Sequence, residues 1–184
     1  SPTRDTMPTA ATLRRFHTTL ANYEPALGEF IADLVFRKTS KGTQYYESQD
    51  QSTVVIHRAT TTVSDLAFMS NKNLVSVVIP SSVTSIGYHA FCSCPGLASV
   101  VIPRSVTSIG YLAFSWCTAL SSVRIPDSVA TIGDGAFMGC SRLASVSVPS
   151  RTALGRDAFP CWTTVVRRPA VAMATAERGQ TNIK

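Results

Sequence analysis

The chain repeats itself at a fixed interval of 23 residues over more than half of its length. The dipeptide Ile79–Pro80 recurs as Ile102–Pro103 and Ile125–Pro126, and Val148–Pro149 follows at the same interval. The interval also separates the members of a leucine column, Leu74, Leu97, Leu120 and Leu143. A period of this size is typical of a solenoid, in which each unit forms one turn of a coil and stacks on the next. The repeat therefore predicts a solenoid for the middle of the chain.

We divide the repeat region into five coils, residues 51–73, 74–96, 97–119, 120–142 and 143–164. The first and last coils depart from the pattern. In the first, His57, Ser64 and Asn71 stand where the other coils have Pro, Gly and Cys. In the last, Ala158–Phe159 comes one residue early. We expect these two coils to act as caps, because the ends of a stacked core must be covered.

Each coil carries enough apolar residues for a core only when it is stacked. In the third coil, Val100 and Ile102 alternate along a short strand and point inward, and Pro103 ends that strand. Gly110 then permits a positive φ at a corner, and Phe114 points inward from a tight turn. One coil cannot bury these side chains alone. We therefore expect parallel strand ladders, about 4.8 Å apart, and one continuous core.

The recurring unit can be written Cys-x-x-Leu-x-x-Val-x-Ile-Pro-x-x-Val-x-x-Ile-Gly-x-x-Ala-Phe-x-x-Cys. It resembles the leucine-rich repeat of the BspA-like (Treponema pallidum) class over residues 51–164. The resemblance implies an α/β repeat solenoid, namely a short right-handed leucine-rich-repeat solenoid of about five coils with parallel β-strands. It also implies, as for many proteins of this class, a role as a secreted or cell-surface adhesion module.

The segments on either side of the repeat complete the predicted domain organisation. Residues 9–22 and 23–38 have apolar side chains at helical spacing, and we predict a short helix in each. We interpret residues 1–44 as an N-terminal helical cap over the first coil. Docking on a partner protein and lying on a membrane surface are the alternatives. The solenoid then spans residues 45–164, and residues 165–184 form a basic C-terminal extension whose first valines add a last strand.

The sequence carries no recognisable catalytic, metal or cofactor site. No nucleotide-binding glycine loop or nucleophile motif occurs, and the many serines follow the repeat itself. The three histidines, His17, His57 and His89, stand apart from other ligands at metal-binding spacing. No apolar run approaches the roughly 20 residues that a membrane-spanning helix needs. We therefore predict a protein that is not an enzyme, binds no cofactor and has no transmembrane segment.

One column of the repeat is occupied by cysteine in most coils and by asparagine in the first. We interpret it as a structural ladder of small buried side chains that bond weakly to the turn backbone, at Asn71, Cys94, Cys117, Cys140 and Cys161. Zinc binding and disulfide formation are the alternatives. The ligand spacing is wrong for zinc, and stacked coils give parallel Cβ vectors that suit disulfides poorly. Cys92 lies outside this column, and we expect it to be the exposed thiol.

Two sets of residues lie between the core columns and are candidates for binding a partner. The first is an outward row on the first strand of each coil, at Val55, Val78, Val101 and Arg124. The second is a set of large residues at the corners, at Tyr88, Tyr111, Leu112 and Trp116. Aromatic residues often anchor interfaces. The alternative for the corner residues is that they pack sideways on the neighbouring coil.

Without a catalytic site, the expected function is a non-catalytic protein–protein interaction scaffold. We predict an accessory structural subunit of a larger assembly, which can be organellar, with other protein chains as partners. One alternative is the adhesion module, and another is a nucleic-acid-contacting subunit of a ribonucleoprotein. The net charge of +6 favours the latter. However, Asp127 interrupts its basic residues Arg58, Arg104, Arg124 and Arg151, and no recognition motif is present. The compartment stays open between an organelle, after removal of a leader, and the secreted or cell-surface route.

Overall fold

The computed structural model describes residues 34–169, which contain thirteen β-strands and no helix. Eight strands form one sheet, in the spatial order β1 (Leu34–Lys38), β2 (Gln44–Ser48), β3 (Thr53–Ile56), β5 (Ser76–Val78), β7 (Ser99–Val101), β9 (Ser122–Arg124), β11 (Ser145–Pro149) and β13 (Thr164–Arg168). Five strands form a second sheet, in the order β12 (Ala153–Leu154), β10 (Thr131–Ile132), β8 (Ser108–Ile109), β6 (Ser85–Ile86) and β4 (Thr62–Val63).

The two sheets are the parallel ladders that the repeat predicts. In the eight-stranded sheet, Val54 pairs with Val77, one repeat further along the chain. In the five-stranded sheet, Ile86 pairs with Ile109 in the same way. Each coil gives one strand to each sheet and closes through a turn on the third side. The chain is therefore a β-solenoid of about five coils. The α/β part of the expected fold class is corrected, because the third side is built from turns among the described residues.

The core consists of identical side chains stacked in columns. The four leucines of the leucine column are fully buried, as the repeat predicts. A phenylalanine column runs beside them, through Phe68, Phe91, Phe114, Phe137 and Phe159. Neighbouring ring centroids in this column lie 5.0 to 5.3 Å apart, with planes tilted by at most 12°. This stacking makes the interior continuous from the first coil to the last.

Gly110 stands at its corner because the coils approach closely there, not because of its φ angle. Its φ is not positive, so the reason expected from the sequence is wrong. A Cβ atom on Gly110 would lie 2.7 Å from the carbonyl carbon of Gly87 in the preceding coil. Positive φ angles occur instead in the following turn, for example at Leu112 and Trp116. A residue without a side chain is therefore needed wherever one corner stacks on another.

A β-hairpin, not a helix, covers the first coil. β1 and β2 pair antiparallel, and β2 continues antiparallel onto β3. The ring of Tyr45 meets Phe68 edge to face at 4.9 Å, which closes the phenylalanine column. The helical cap is thus not supported, and residues 34–38 of the second predicted helix are a strand because they pair with β2. The predicted helix over 9–22 and residues 23–33 of the second lie outside the described residues.

The last strand closes the opposite end of the solenoid. β13 pairs parallel with β11, and Val165 and Val166 lie within it. Arg167 pairs with Val148, so it occupies the strand position at which the coils have an isoleucine or valine. Its Nη1 donates hydrogen bonds to the carbonyl oxygens of Pro149 and Thr152. A charged residue in a core column is one way to stop strand pairing at a sheet edge. Residues 170–184 of the basic extension lie outside the described residues.

Candidate protein-binding surface

The outward side chains of the eight-stranded sheet form one row across all eight strands. The strand register aligns Phe36 with Tyr46, Tyr46 with Val55, and Val55 with Val78. The pairing of Val77 with Val100 places Val78 beside Val101. Further pairing continues the line from Val101 through Arg124 and Ser147 to Val166. We call this line the outer row; its members are Phe36, Tyr46, Val55, Val78, Val101, Arg124, Ser147 and Val166. The four row residues predicted from the sequence therefore lie side by side on one face.

The first five members of the outer row are apolar, and we call them the apolar strip (Phe36, Tyr46, Val55, Val78 and Val101). Phe36 is 53% exposed and Val101 is 48% exposed, so both ends of the strip are open to solvent. Val55 and Val78 are half-buried between them. Four strand spacings of about 4.8 Å give the strip a length of about 19 Å.

Two aromatic members of the apolar strip, Phe36 and Tyr46, were missed by the sequence analysis. Their rings meet at 5.4 Å, and both contact the ring of His57, at 6.1 and 5.8 Å. The β-branched and aromatic residues Val35, Phe36, Tyr45 and Tyr46, on either side of the turn at Gly42, are the signal that could have placed them on strands. The helical spacing of residues 27–35 masked that signal.

A row of hydroxyl groups runs beside the outer row, at Thr53, Ser76, Ser99, Ser122, Ser145 and Thr164. These residues also point away from the core, since they lie two positions from the members of the outer row, and all of them except Ser76 are at least partly exposed. The sheet face therefore combines an apolar strip with a flanking polar line. This arrangement resembles the apolar centre and polar rim of protein interfaces.

The corner residues predicted as partner contacts pack on the next coil and stay partly exposed. A Cβ atom on Gly139 would lie 2.8 Å from Cδ2 of Trp116, so the indole ring lies directly over this glycine. Leu112 covers Gly135 in the same way. Trp116 is nevertheless 55% exposed. Sideways packing and exposure therefore occur together at this corner.

The two tyrosines at the corners belong to a line of ring contacts. The ring of His89 lies between those of Tyr88 and Tyr111, with centroids 5.1 and 5.5 Å away. The Nζ atom of Lys41, from the hairpin turn, lies 5.4 Å above the ring of Tyr88. Both tyrosines remain exposed. They line the turn side of the solenoid, away from the apolar strip.

Three cysteines form a buried ladder on the turn side. The Sγ atoms of Cys94, Cys117 and Cys140 donate to carbonyl oxygens of the preceding coil, at 3.1, 3.2 and 3.2 Å. Burial raises the pKa of Cys94 and of Cys140 to about 12. It raises the pKa of Cys117 as well. These thiols are protonated hydrogen-bond donors at neutral pH, which suits packing and opposes nucleophilic chemistry.

The remaining positions of the predicted ladder differ from these three. Asn71 accepts hydrogen bonds from the N–H groups of Asn73 and Leu74 in its own turn. Cys161 is exposed, because the last coil is short and loses the register, so the ladder ends before it. Cys92 is only 7% exposed, which corrects the expectation that it is the exposed thiol. The hydroxyl of Ser115 in the next coil donates to its Sγ atom at 3.1 Å and covers it.

Within residues 34–169, no group of three or more His, Cys, Asp or Glu side chains is placed to hold a metal ion. Over the same residues, the structure contains no helix that is both long and apolar enough to cross a membrane. Two basic residues of the nucleic-acid alternative lie in different places: Arg124 is on the sheet face, whereas Arg151 donates to the carbonyl oxygen of Asp127 at a corner.

The family model described as BspA type leucine-rich repeat region matches residues 39–164, in six copies. A leucine-rich repeat protein from Bacteroides ovatus is 34% identical, with a TM-score of 0.56, over 59% of this chain and 28% of its own. A leucine-rich cell surface protein from Faecalibacterium prausnitzii is 28% identical, with a TM-score of 0.63, and the match covers 78% of this chain and 39% of that protein. A leucine-rich repeat protein from Eubacterium ventriosum is 23% identical, with a TM-score of 0.50, and shows the shared fold alone. The chain thus spans less than half of each of these proteins. No curated protein sequence matches.

Proposed function

The chain belongs to the BspA-type leucine-rich-repeat family, and on this premise we propose that it is a non-catalytic scaffold that binds another protein chain through the apolar strip. The family favours protein binding or adhesion in general. The observation that carries the choice of surface is the unbroken line of five apolar side chains across five strands. Contiguous exposed apolar surface of this kind is typical of interaction sites.

The physical basis of the proposal is that the strip is rigid before it binds. Its residues lie on hydrogen-bonded strands over a continuous core, so binding restricts little of the scaffold's own freedom. The two aromatic residues at one end, Phe36 and Tyr46, are of the type that anchors interfaces. The valines beside them add apolar area at low conformational cost.

Two biological roles are compatible with a binding surface of this kind. We propose an accessory subunit of a larger assembly; its organellar location stays a prediction. The adhesion alternative uses the same strip, and the cell surface protein of Faecalibacterium prausnitzii is the relative that favours it. A chain anchored in an assembly should copurify with fixed partners, whereas an adhesion module should purify alone and bind partners added from outside.

The binding surface can be tested by introducing one charge into the strip. The variant Val101→Asp places a carboxylate on the exposed end of the strip, and Ala130→Asp places the same carboxylate on an exposed site beside the five-stranded sheet. Both variants and the unchanged chain are used to capture partners from an extract of the source organism, with thermal melting to verify folding. We expect a partner that is lost with Val101→Asp alone and that binds the purified unchanged chain directly. Equal capture by all three proteins would show that the strip is not the binding surface.

A further inference from the structure

All charged side chains on the outer face of the eight-stranded sheet are cationic. By strand alternation, the outward charged positions are Lys38, Arg124 and Arg168. The described residues contain six carboxylates, Glu47, Asp50, Asp65, Asp127, Asp134 and Asp157. Glu47 lies on a strand but points to the inner side, where it pairs with Arg37 at 2.7 Å, and the other five lie in turns. The outward strand positions of the face that carries the apolar strip therefore present positive charge alone, and the carboxylate of Asp127 meets this face only at its edge, beside Arg168.

Two cations of this face, Lys38 and Arg124, are exposed and pair with no carboxylate of the described residues, and Arg124 is the one that continues the outer row. It follows Val101 directly in the outer row, at the point where the apolar strip ends. Among residues 34–169, no carboxylate pairs with it. Arg168 differs, because its Nη2 already bonds Asp127 and the carbonyl oxygen of Ile125. A free guanidinium beside apolar side chains is suited to a carboxylate, which it can hold with two parallel hydrogen bonds.

The spacing of the strip indicates the secondary structure of a partner. Strip residues recur at about 4.8 Å, the distance between strands. Successive turns of a helix rise about 5.4 Å, so after four turns a helical side chain is displaced by only about 2.4 Å from the matching residue of the strip. Side chains on one face of an extended segment recur about every 6.6 Å. After four such steps, a side chain is displaced by about 7 Å from the matching residue of the strip, which is more than the distance between two strands. A helix can therefore place one apolar side chain near each strand, and an extended segment cannot.

We infer that the partner segment is an amphipathic helix of about 16 residues that lays an apolar stripe along the strip and a carboxylate beside Arg124. This inference rests on the proposed function and adds the chemistry of the partner to it. A nucleic acid fits the same face poorly. Tight phosphate binding needs several cations along the backbone, and about 19 Å of this row carries none.

The test uses a library of 16-residue peptides displayed on phage, with apolar residues fixed at helical spacing and the remaining positions randomised. Peptides selected on the full chain are synthesised, and their affinities are measured by fluorescence anisotropy. Three variants of the full chain are compared: Val78→Ser in the strip, Arg124→Glu at its end, and Arg142→Glu. Arg142 is exposed on the turn side, so the third variant is a control with the same change of charge.

We expect the selected peptides to carry Asp or Glu at the end of the apolar stripe. Their affinity should fall about fivefold or more with Arg124→Glu and stay within about twofold with Arg142→Glu. A Glu→Lys exchange in the peptide should restore binding to the Arg124→Glu variant. Loss with Val78→Ser but no response to Arg124→Glu would overturn the acidic helix and leave the strip as the binding surface. If Val78→Ser leaves the peptide affinity unchanged, or if the library yields no binders, both the acidic helix and the apolar strip as the binding surface are overturned.

A competing single-stranded DNA of 20 nucleotides separates specific pairing from general attraction to positive charge. If the DNA displaces the peptides, and Arg124→Glu and Arg142→Glu weaken peptide binding equally, the pairing at Arg124 is not specific and the inference is overturned. If the peptides keep their preference for Arg124 in the presence of the DNA, the inference is supported.

Discussion

Raising the pH should destabilise the fold through its buried thiols, and Cys140 allows this effect to be isolated. Burial raises the pKa of the Cys140 thiol to about 12, whereas the pKa of an unfolded cysteine is about 8.5. Above a pH of about 8.5, the unfolded chain loses a proton that the folded chain keeps. The free energy of unfolding therefore falls as pH rises through this window, by at most about 1.4 kcal/mol per pH unit for one thiol.

The magnitude follows from the two pKa values. Between pH 8 and pH 10, this one group should lower the free energy of unfolding by about 2 kcal/mol. The variant Cys140→Ala removes the titrating group, the hydrogen bond to the carbonyl oxygen of Phe114 and a fully buried Sγ atom, which together cost about 1–2 kcal/mol at neutral pH. The variant is thus less stable than the unchanged chain at pH 7. This deficit should shrink by about 2 kcal/mol between pH 8 and pH 10, so the two free energies should become equal between pH values of about 9 and 10.

Urea unfolding followed by circular dichroism, at several pH values between 7 and 10, measures this crossover. Reducing and oxygen-free buffers are needed because thiolates oxidise readily. Cys161→Ala is the matched control: it removes an exposed thiol that takes no part in the buried ladder, so this variant should follow the unchanged chain at every pH. A constant difference between Cys140→Ala and the unchanged chain from pH 7 to pH 10 would refute the argument, since it would mean that the thiol titrates alike in both states.

Three further changes test the packing of the solenoid, each by urea or thermal unfolding unless stated. Phe114→Ala removes a ring from the middle of the column and should cost about 3–5 kcal/mol; a neutral result would mean that this residue does not fill the core. Gly139→Ala combines a positive φ with a clash against the indole of Trp116 and should cost about 2 kcal/mol or more, whereas Gly42→Ala, with open space around it, should cost only about 1 kcal/mol. Arg167→Ala should speed amide hydrogen exchange in β13 while leaving the middle coils protected, because it removes two hydrogen bonds that hold the last strand.

The periodic part of the structure could be predicted from the sequence because the repeat carries its own register. A leucine or phenylalanine that recurs every 23 residues must occupy the same place in each coil, so the buried columns and the parallel pairing follow together. The predicted outer-row residues follow from the same periodicity, since alternate residues of a strand face outward. Phe36 and Tyr46, the other apolar members of the strip, lie outside the repeat, so its periodicity contains no information about them.

The wrong predictions concern places where the local sequence pattern is compatible with more than one structure. Residues 34–38 continue a helical pattern of apolar residues, but Val35 and Phe36 also favour a strand, and pairing with β2 decides in favour of the strand. Cys92 has a position outside the core columns, yet the next coil closes over it through Ser115. Gly110 was assigned a special φ, and its actual reason is the approach of a neighbouring backbone. In each case the deciding contact comes from a distant part of the chain.

The departures of the first coil from the repeat are explained by the hairpin that covers it. The N–H of His57 donates to the carbonyl oxygen of Gln44 in β2, a bond that the proline of the other coils could not make. The N–H of Ser64 donates to the hydroxyl of Thr43, and its own hydroxyl donates to the carbonyl oxygen of Lys41. Glycine, which the inner coils have at this position, would lack that hydroxyl.

The third departure of the first coil, Asn71 in place of cysteine, has the same cause: the first coil meets a hairpin and not another coil. A ladder cysteine donates to the turn of the preceding coil, and the first coil has an antiparallel hairpin there in place of a coil. Asn71 instead accepts hydrogen bonds from its own turn, which needs no preceding coil. The positions that break the repeat therefore carry the information about where stacking begins. A polar residue in place of a repeat Pro, Gly or Cys marks a surface that meets something other than another coil.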